Sequence, residues 1–139
     1  MLLTVTKAKG VGIAAPQVFD SRRLIVVSSH PNARYPNAPN MAPTVMINPV
    51  IISSSSEKEL GWEGCLSVPG RRGEVCRHTW IELAYADRVG VRSQAQFDGF
   101  VARIIQHEVD HLDGITFLDR VASESKILTE EEYLEICKA

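Results

Sequence analysis

Runs of apolar and β-branched residues, separated by turn-forming residues, predict a chain built largely from β-strands. Four such stretches are predicted as strands: residues 23–29, 45–52, 75–86 and 91–97. The second is interrupted by Asn48-Pro49, which indicates either an edge position or a β-bulge. Residues 87–90 form a predicted turn, so the last two strands are expected to pair as a hairpin.

The segments between these strands are expected to be irregular. Residues 30–43 contain four prolines and mark a surface excursion. Residues 57–72 are punctuated by glycines and are predicted as a loop that carries Cys65. Gly10 and Gly12 flank Val11, and this spacing suggests either a backbone that another group approaches closely or a tight turn.

An amphipathic pattern predicts one long helix, with Asp98 as its N-cap and Gly114 as its left-handed stop. Apolar residues cover most of its surface, so we expect the helix to be largely buried. Its narrow polar stripe consists of Arg103, Gln106 and Asp110. Residues 115–118 are predicted as a short strand, and Thr129 with Glu132 predicts a capping box that opens a last helix.

Length and charge narrow the class of protein. A chain of 139 residues is expected to form a single domain, spanning residues 1–139. A formal net charge of -2 gives no general attraction to nucleic acid or anionic membranes. No apolar run approaches the ~20 residues that span a bilayer, and no secretion signal is present, so we expect a soluble, cytoplasmic protein. Three cysteines without framework spacing favour reduced thiols over disulfides.

The most informative stretch is residues 106–111, in which Glu108 lies between His107 and His111. On a helix these histidines are about 40° apart around the axis, so both imidazoles can reach one metal ion. Glu108 lies close to the same face, where it can handle a proton of an activated water rather than bind the ion. A helix with two incidental histidines is the structural alternative.

A hydrolytic metal site needs three protein ligands and one open position. Asp119 and Glu124 are possible third ligands. Cys65 is the better candidate, because its glycine-flanked segment can approach a helix without steric hindrance. Two imidazoles and one thiolate suit Zn, Fe(II), Co or Ni. Cys76 and His78 are assigned to packing or to the surface.

Three segments in this order, residues 10–17, 63–67 and 106–111, resemble the signature segments of the peptide deformylases. The resemblance implies an α+β fold in which β-sheets enclose a buried metal-bearing helix. It implies a hydrolase that removes the formyl group from the N-terminal formyl-methionine of nascent polypeptides and releases formate. It also implies one divalent metal ion per chain, with Fe(II) as the native metal and Zn, Ni or Co as possible replacements.

The resemblance assigns metal-binding and catalytic roles. The implied metal ligands are Cys65, His107 and His111. Glu108 is expected to act as general base and acid. Gln17 and the backbone N–H of Leu66 are expected to face the developing oxyanion.

The resemblance also implies a substrate site. Its expected members are Gly12, Val11, Gly64, Arg72, Phe100, Arg103 and Ile104. For Phe100 and Ile104 an ordinary core position is the alternative. Glu63 and Arg77 are expected to form either a pair that steadies the ligand-bearing segment or an ordinary surface ion pair.

Two features depart from the family pattern. Family members carry some tens of residues, including a first helix, before the glycine segment, whereas nine residues precede Gly10, so the usual N-terminal helix is expected to be missing. The chain is then naturally short, a fragment, or started at an internal Met.

Residues 130–135 carry four glutamates, so ribosome contact is expected to be weak or transient. Neither DNA nor a membrane is an expected partner.

Two other functions stay open on this sequence. A small zinc endopeptidase shares the two-histidine helix, but it leaves Cys65 and Gln17 without a role. A non-catalytic, metal-stabilised module that binds N-terminal peptides needs neither Gln17 nor Glu108, and both are present.

Overall fold

The computed structural model of the chain describes residues 10–18, 22–32, 35–65, 67–121 and 127–138. The strands within these ranges are β1 (Gly12–Ala14), β2 (Leu24–Val27), β3 (Thr44–Ser54), β4 (Lys58–Cys65), β5 (Val68–His78), β6 (Trp80–Ala86), β7 (Arg92–Asp98) and β8 (Ile127–Thr129). The α-helices are α1 (Gly99–Leu112) and α2 (Glu130–Lys138). Two 3-10 helices, Ala15–Val18 and Phe117–Arg120, complete these elements.

The strands form two antiparallel sheets around helix α1. One sheet has the order β1-β2-β3-β6-β7, and the other has the order β4-β5-β8. Helix α1 contacts β1, β2, β6 and β7 of the first sheet and β5 of the second. The core cluster joins helix and sheet residues: Ala14, Ile25, Val27, Met46, Ile81, Leu83, Ala102, Ile104, Ile105 and Val109. The expected α+β fold, with β-sheets enclosing a buried helix, is confirmed.

Strand β3 contains the predicted bulge. Asn48 has a φ of 49°, and the pairing of β3 with β6 shifts register between Ile47 and Val50. The alternative of an edge position is wrong, because β3 lies between β2 and β6. The predicted hairpin is confirmed as the antiparallel pair β6 and β7.

Two predictions about the middle of the chain are wrong. The segment predicted as a loop at residues 57–72 lies mostly in the hairpin of β4 and β5. The long strand predicted at residues 75–86 is broken at Thr79, and its halves belong to different sheets. At the break the hydroxyl of Ser55 accepts hydrogen bonds from the backbone N–H groups of Thr79 and Trp80, at 2.8 and 3.3 Å.

The helix boundaries largely follow the capping signals. Asp98 holds the N-cap position of α1 with extended backbone, but its side chain makes no capping hydrogen bond. Gly114 follows the helix with a φ of 76°. The short strand predicted at residues 115–118 is wrong, because a 3-10 helix with its own capping box forms at Phe117–Arg120.

The predicted capping box of α2 is confirmed. The backbone N–H of Glu132 donates to Oγ1 of Thr129, and the N–H of Thr129 donates to the Glu132 carboxylate, each at 3.2 Å. None of the helices in the described ranges combines the length and the apolar character that crossing a bilayer requires.

Candidate active site

Three side chains that could hold a metal ion converge where β4 ends against α1. Cys65 is the last residue of β4, and His107 and His111 lie one turn apart on α1. The Sγ of Cys65 lies 3.2 Å from Nε2 of His111, which lies 3.2 Å from Nε2 of His107. All three ligand atoms lie within 4.8 Å of one another. The thiol and both imidazoles can therefore bind a single metal ion.

The end of β4 is shaped to bring the thiol to the helix. The pairing of β4 with β5 shifts register between Glu63 and Cys65, and such irregularities redirect side chains relative to the strand. Gly64 lies at the shift. A Cβ atom at this position would overlap Nη1 of Arg72, so a larger residue would displace that side chain.

Glu63 holds His107 in a fixed orientation. This carboxylate is 3% exposed, and its Oε1 accepts hydrogen bonds from Nδ1 of His107 at 2.9 Å and from Nη2 of Arg77 at 2.8 Å. Its Oε2 accepts from Nε of Arg77 at 2.8 Å and from Nη1 of Arg103 at 2.7 Å. Because Nδ1 of His107 donates to Glu63, Nε2 is the ring nitrogen that faces His111, and a metal ion would replace its proton. The predicted pair of Glu63 and Arg77 is confirmed, and it is buried rather than on the surface.

Burial alone would raise the pKa of Glu63. Hydrogen bonds from Arg77 and His107 outweigh that effect and lower the pKa to about 2. Glu63 is therefore a carboxylate throughout the neutral pH range. This charge compensates the two buried guanidinium groups beside it.

The charge network continues to the surface. Nη1 of Arg77 donates to Oδ2 of Asp110 at 2.6 Å, and Nη2 of Arg120 donates to Oδ1 of Asp110 at 2.8 Å. The Arg120 side chain is 43% exposed, whereas that of Asp110 is 11% exposed. A chain of alternating charges thus connects solvent to His107.

The residues of the polar stripe predicted for α1 lie inside the domain and contact the neighbouring strands. Gln106 exchanges hydrogen bonds with the backbone of His78, at 3.1 and 3.0 Å. Arg103 also donates to the carbonyl oxygens of Glu59 and Val75, at 2.6 and 2.9 Å. The stripe therefore joins α1 to the hairpin that carries Cys65.

Neighbouring groups set the protonation states of Cys65 and His107. Burial would raise the pKa of the Cys65 thiol, but hydrogen bonds with His107 and His111 lower it to about 5. Burial would lower the pKa of His107, but its bonds to Cys65 and Glu63 raise it to about 10. Cys65 is thus a thiolate at neutral pH, which is the form that binds metal ions. A thiolate with two imidazoles is a donor set that fits a divalent transition metal.

Glu108 lies beside these three side chains, and one oxygen of its carboxyl group has no hydrogen-bond partner among the described residues. It is 3% exposed, and its Oε1 has no hydrogen-bond partner in the described part of the chain. Burial raises the pKa of Glu108 to about 7, although the two imidazoles act to lower it. An unpartnered oxygen with this pKa is suited to exchange a proton with a small molecule near neutral pH.

The amide of Gln17 is held with its NH2 group toward the ligands. Its Oε1 accepts a hydrogen bond from the backbone N–H of Ala14 at 2.8 Å. Its Nε2 donates to Sγ of Cys65 at 3.3 Å and to Oγ of Ser67 at 3.0 Å. Leu66, the other predicted oxyanion donor, lies outside the described residues.

A cavity opens beside the ligands, and all seven residues predicted to contact the substrate line it. Its lining consists of Gly10, Val11, Gly12, Gln17, Tyr35, Glu63, Gly64, Cys65, Arg72, Phe100, Arg103, Ile104, His107 and Glu108. Ile104 lines this cavity and, at 5% exposed, also belongs to the core. Tyr35 was not predicted, because nothing in its proline-rich segment indicates where its ring lies; it packs 4.8 Å from the Phe100 ring.

Other candidate residues have separate roles. Asp119 accepts a hydrogen bond from the N–H of Thr116 at 2.9 Å and caps a 3-10 helix, so it is not a third ligand. Glu124 lies outside the described residues. Cys76 is exposed, and Nδ1 of His78 lies 2.7 Å from the carbonyl oxygen of Ser55.

A buried helix that presents two imidazoles and a carboxyl group, beside a thiolate from a neighbouring strand, defines a metal-dependent hydrolase. The family model described as polypeptide deformylase matches residues 1–126. The chain belongs to the peptide deformylase family, whose enzymes remove the N-terminal formyl group from nascent polypeptides. It is thus a metallohydrolase that acts on formyl-methionyl peptides.

Relatives and solved structures are similar to the chain over most of its length. A protein named peptide deformylase 2 from Nostoc sp. is 58% identical over 136 residues, which cover 98% of this chain and 76% of the relative. Peptide deformylase 2 from Shewanella oneidensis is 47% identical over 132 residues, with coverages of 94% and 73%. The Met-Ala-Ser-bound structure of a class I type b peptide deformylase from Acinetobacter baumannii matches with a TM-score of 0.86 and 53% identity, over 87% of this chain and 76% of that one.

Proposed function

We propose that Cys65, His107 and His111 hold one divalent metal ion, and that Glu108 and Gln17 act on the formyl group beside it. The observation that carries this proposal is the convergence of three ligand atoms within 4.8 Å, next to a buried carboxyl group with an unpartnered oxygen. A metal ion at these ligands supplies Lewis acidity, which lowers the pKa of water from about 15.7 toward about 7.

Glu108 moves the protons of the reaction. It accepts a proton from the attacking water and passes it to the departing amine, so one residue serves as base and then as acid. Burial raises the pKa of this carboxyl group to about 7, so both protonation states are available at neutral pH. Gly12 covers the group closely, since a Cβ atom there would lie 2.8 Å from Oε2 of Glu108.

Gln17 stabilises the negative charge that develops on the formyl oxygen. The hydrogen bond from Ala14 fixes the amide oxygen, so the NH2 group is turned toward the reacting centre. It donates there to Cys65 and Ser67, and the formyl oxygen takes the place of one of these acceptors. The backbone N–H of Leu66 serves as the second donor; this part of the proposal rests on the family resemblance alone.

The peptide lies along the cavity with its methionine side chain between helix and sheet. Among the described residues strand β1 lies at the edge of its sheet, so the backbone at Val11 and Gly12 can pair with an extended peptide. Gly64 lines the same cavity beside Cys65. The methionine pocket is formed by Phe100, Ile104 and the aliphatic stem of Arg103, whose guanidinium group is bound to Glu63.

Arg72 lies where the peptide continues beyond its methionine. It lines the same cavity and is 5% exposed. The Acinetobacter baumannii relative has been solved with Met-Ala-Ser bound, which supports a site that accepts at least three residues here as well.

We further propose Fe(II) as the native metal, with Zn, Ni or Co able to occupy the same ligands. A thiolate with two imidazoles does not by itself select among these ions. Support for Fe(II) comes from the family resemblance. Metal analysis of protein purified without oxygen tests this assignment, and a preparation that is active with stoichiometric Zn and no iron would contradict it.

The proposed setting is the cytoplasm, where formylated nascent peptides emerge from ribosomes, and the proposed functional unit is one domain that spans residues 1–139. Contact with the ribosome is weak or transient, because the first turn of α2 carries Glu130, Glu131 and Glu132 and these repel RNA. Neither DNA nor a membrane is proposed as a partner. Tight, salt-sensitive ribosome binding that depends on residues 129–138 would contradict the ribosome proposal.

One experiment tests the proposed chemistry. Protein prepared without oxygen and loaded with Fe(II) or Ni receives formyl-Met-Ala-Ser, and formate release is measured with and without a chelator. We expect formate release that the chelator abolishes. An unstructured protein offered in parallel should stay intact.

The two rival functions give different results in the same experiment. Internal cleavage of the unstructured protein would indicate an endopeptidase. Binding of the formyl peptide without release of formate would indicate a peptide-binding module. Internal cleavage would overturn the proposed role of Gln17, and binding without turnover would overturn the roles of both Glu108 and Gln17.

A further inference from the structure

Helix α2 holds a cavity residue in place. Nε and Nη2 of Arg72 both lie 2.8 Å from Oε2 of Glu130, the first residue of α2. The Cζ atom of Arg72 lies 5.6 Å from the ring centre of Tyr133, one turn further along α2. Two residues of this helix therefore fix the direction of the Arg72 guanidinium group.

The helix is itself docked firmly at the rim of the cavity. Tyr133 is 5% exposed and packs against Trp62 and Tyr35, with ring centres 5.9 and 6.4 Å apart. Strand β8 precedes α2 directly and pairs with β5, where Arg72 lies opposite Leu128. The position of Glu130 is thus set by both a strand and a helix.

The third nitrogen of the Arg72 guanidinium group, Nη1, is available to a ligand. Within the described residues Nη1 of Arg72 has no hydrogen-bond acceptor, although the side chain is only 6% exposed. Nη1 lies against Gly64, the residue beside Cys65. Arg72 lines the cavity, so Nη1 can donate to an acceptor that the substrate brings.

We infer that Glu130 is a positioning residue, which aims Nη1 of Arg72 at a backbone carbonyl of the peptide beyond its formyl-methionine. This inference rests on the proposed function, because it assumes that the cavity holds a formyl peptide. It makes helix α2 part of peptide recognition. It also gives Glu130 a different role from the exposed glutamates beside it.

The experiment compares Glu130→Gln with Glu131→Gln, an exposed neighbour on the same helix. Each metal-loaded variant is assayed with formyl-Met-Ala-Ser and with formyl-methionine amide, which lacks the downstream residues. For Glu130→Gln we expect KM for the tripeptide to rise about three- to tenfold, with kcat within about twofold and KM for the amide unchanged. Glu131→Gln should match the unmodified protein on both substrates.

Glu130→Asp keeps the charge on a shorter side chain and should recover part of the tripeptide affinity. If instead KM rises equally for both substrates, or does not rise for the tripeptide, Glu130 does not act through the peptide. These outcomes differ from failure of the proposed function, in which the unmodified protein would release formate from neither substrate.

A second comparison keeps the inference testable if Glu130→Gln folds poorly. Arg72→Lys keeps a positive charge but loses the guanidinium fork, so it should show the same tripeptide-specific rise in KM. In the double variant the two effects should not multiply, because both remove one contact. Multiplying effects would overturn the inference.

Discussion

Replacing Glu63 by glutamine removes the charge that holds two arginines and a metal ligand in place. Each carboxylate oxygen accepts two hydrogen bonds, from Arg77, Arg103 and His107, whereas glutamine keeps only one such oxygen. The new NH2 group faces donors rather than acceptors. Arg77 then retains Asp110 as its charged partner.

The expected loss of stability is large for a domain of this size. Removing one partner of a buried ion pair typically costs about 3–5 kcal/mol, against a total stability of about 5–15 kcal/mol for a domain. Loss of the hydrogen bond that orients a metal-binding histidine typically weakens metal affinity by about 10–100-fold. We expect Glu63→Gln to show both effects.

Urea unfolding in the presence of a chelator measures the first effect, with the fluorescence of Trp62 and Trp80 as the signal. Competition with a metal indicator measures the second effect. Glu57→Gln is the matched control, because its side chain is exposed and it should change neither quantity. If Glu63→Gln unfolds within about 0.5 kcal/mol of the unmodified protein and binds metal equally well, Glu63 does not organise the site.

Three further variants probe the reaction. Gln17→Ala should keep its metal and lose about 2.7–4 kcal/mol of transition-state stabilisation, measured as kcat; full turnover would refute its role as oxyanion donor. Glu108→Ala should also retain metal while losing nearly all formate release, and residual activity near that of the unmodified enzyme would exclude it as the base. In Gly12→Ala the added methyl group would lie 2.8 Å from Oε2 of Glu108 and from Cγ2 of Ile104. Turnover should therefore fall while metal content is unchanged. An unaltered rate would show that strand β1 moves to accommodate the methyl group without disturbing Glu108.

The arrangement of the middle strands could not be predicted from local pattern, because their glycines have a tertiary cause. Gly61, Gly64 and Gly73 interrupt the apolar alternation of β4 and β5, so the segment resembles a loop. In the structure a Cβ atom at each position would collide with Arg103, Arg72 or Val121 from another element. Glycine in a strand thus marks close approach, and the approaching residue lies on another element that the local pattern does not identify.

The convergence of the proposed metal ligands was predictable, whereas the network of ion pairs around them was only partly so. His107 and His111 are linked by helix periodicity, which is a local property. The Glu63 and Arg77 pair was proposed, but its burial and its extension to Asp110 depend on how the hairpin packs on α1. The helical pattern placed Arg103 in the polar stripe of α1. Its position in the interior depends on its contact with the carboxylate of Glu63, forty residues away, which that pattern does not reveal.

X-ray absorption at the zinc edge of Zn-loaded protein tests the central claim most directly, namely that Cys65 joins the two histidines at one metal ion. We predict one sulfur at about 2.3 Å and two nitrogens at about 2.0–2.1 Å. The sulfur signal should persist in Cys76→Ala, whereas Cys65→Ala should lose both the sulfur signal and tight metal binding. A shell of nitrogen and oxygen alone in the unmodified protein, or a sulfur signal that survives Cys65→Ala, would contradict the account.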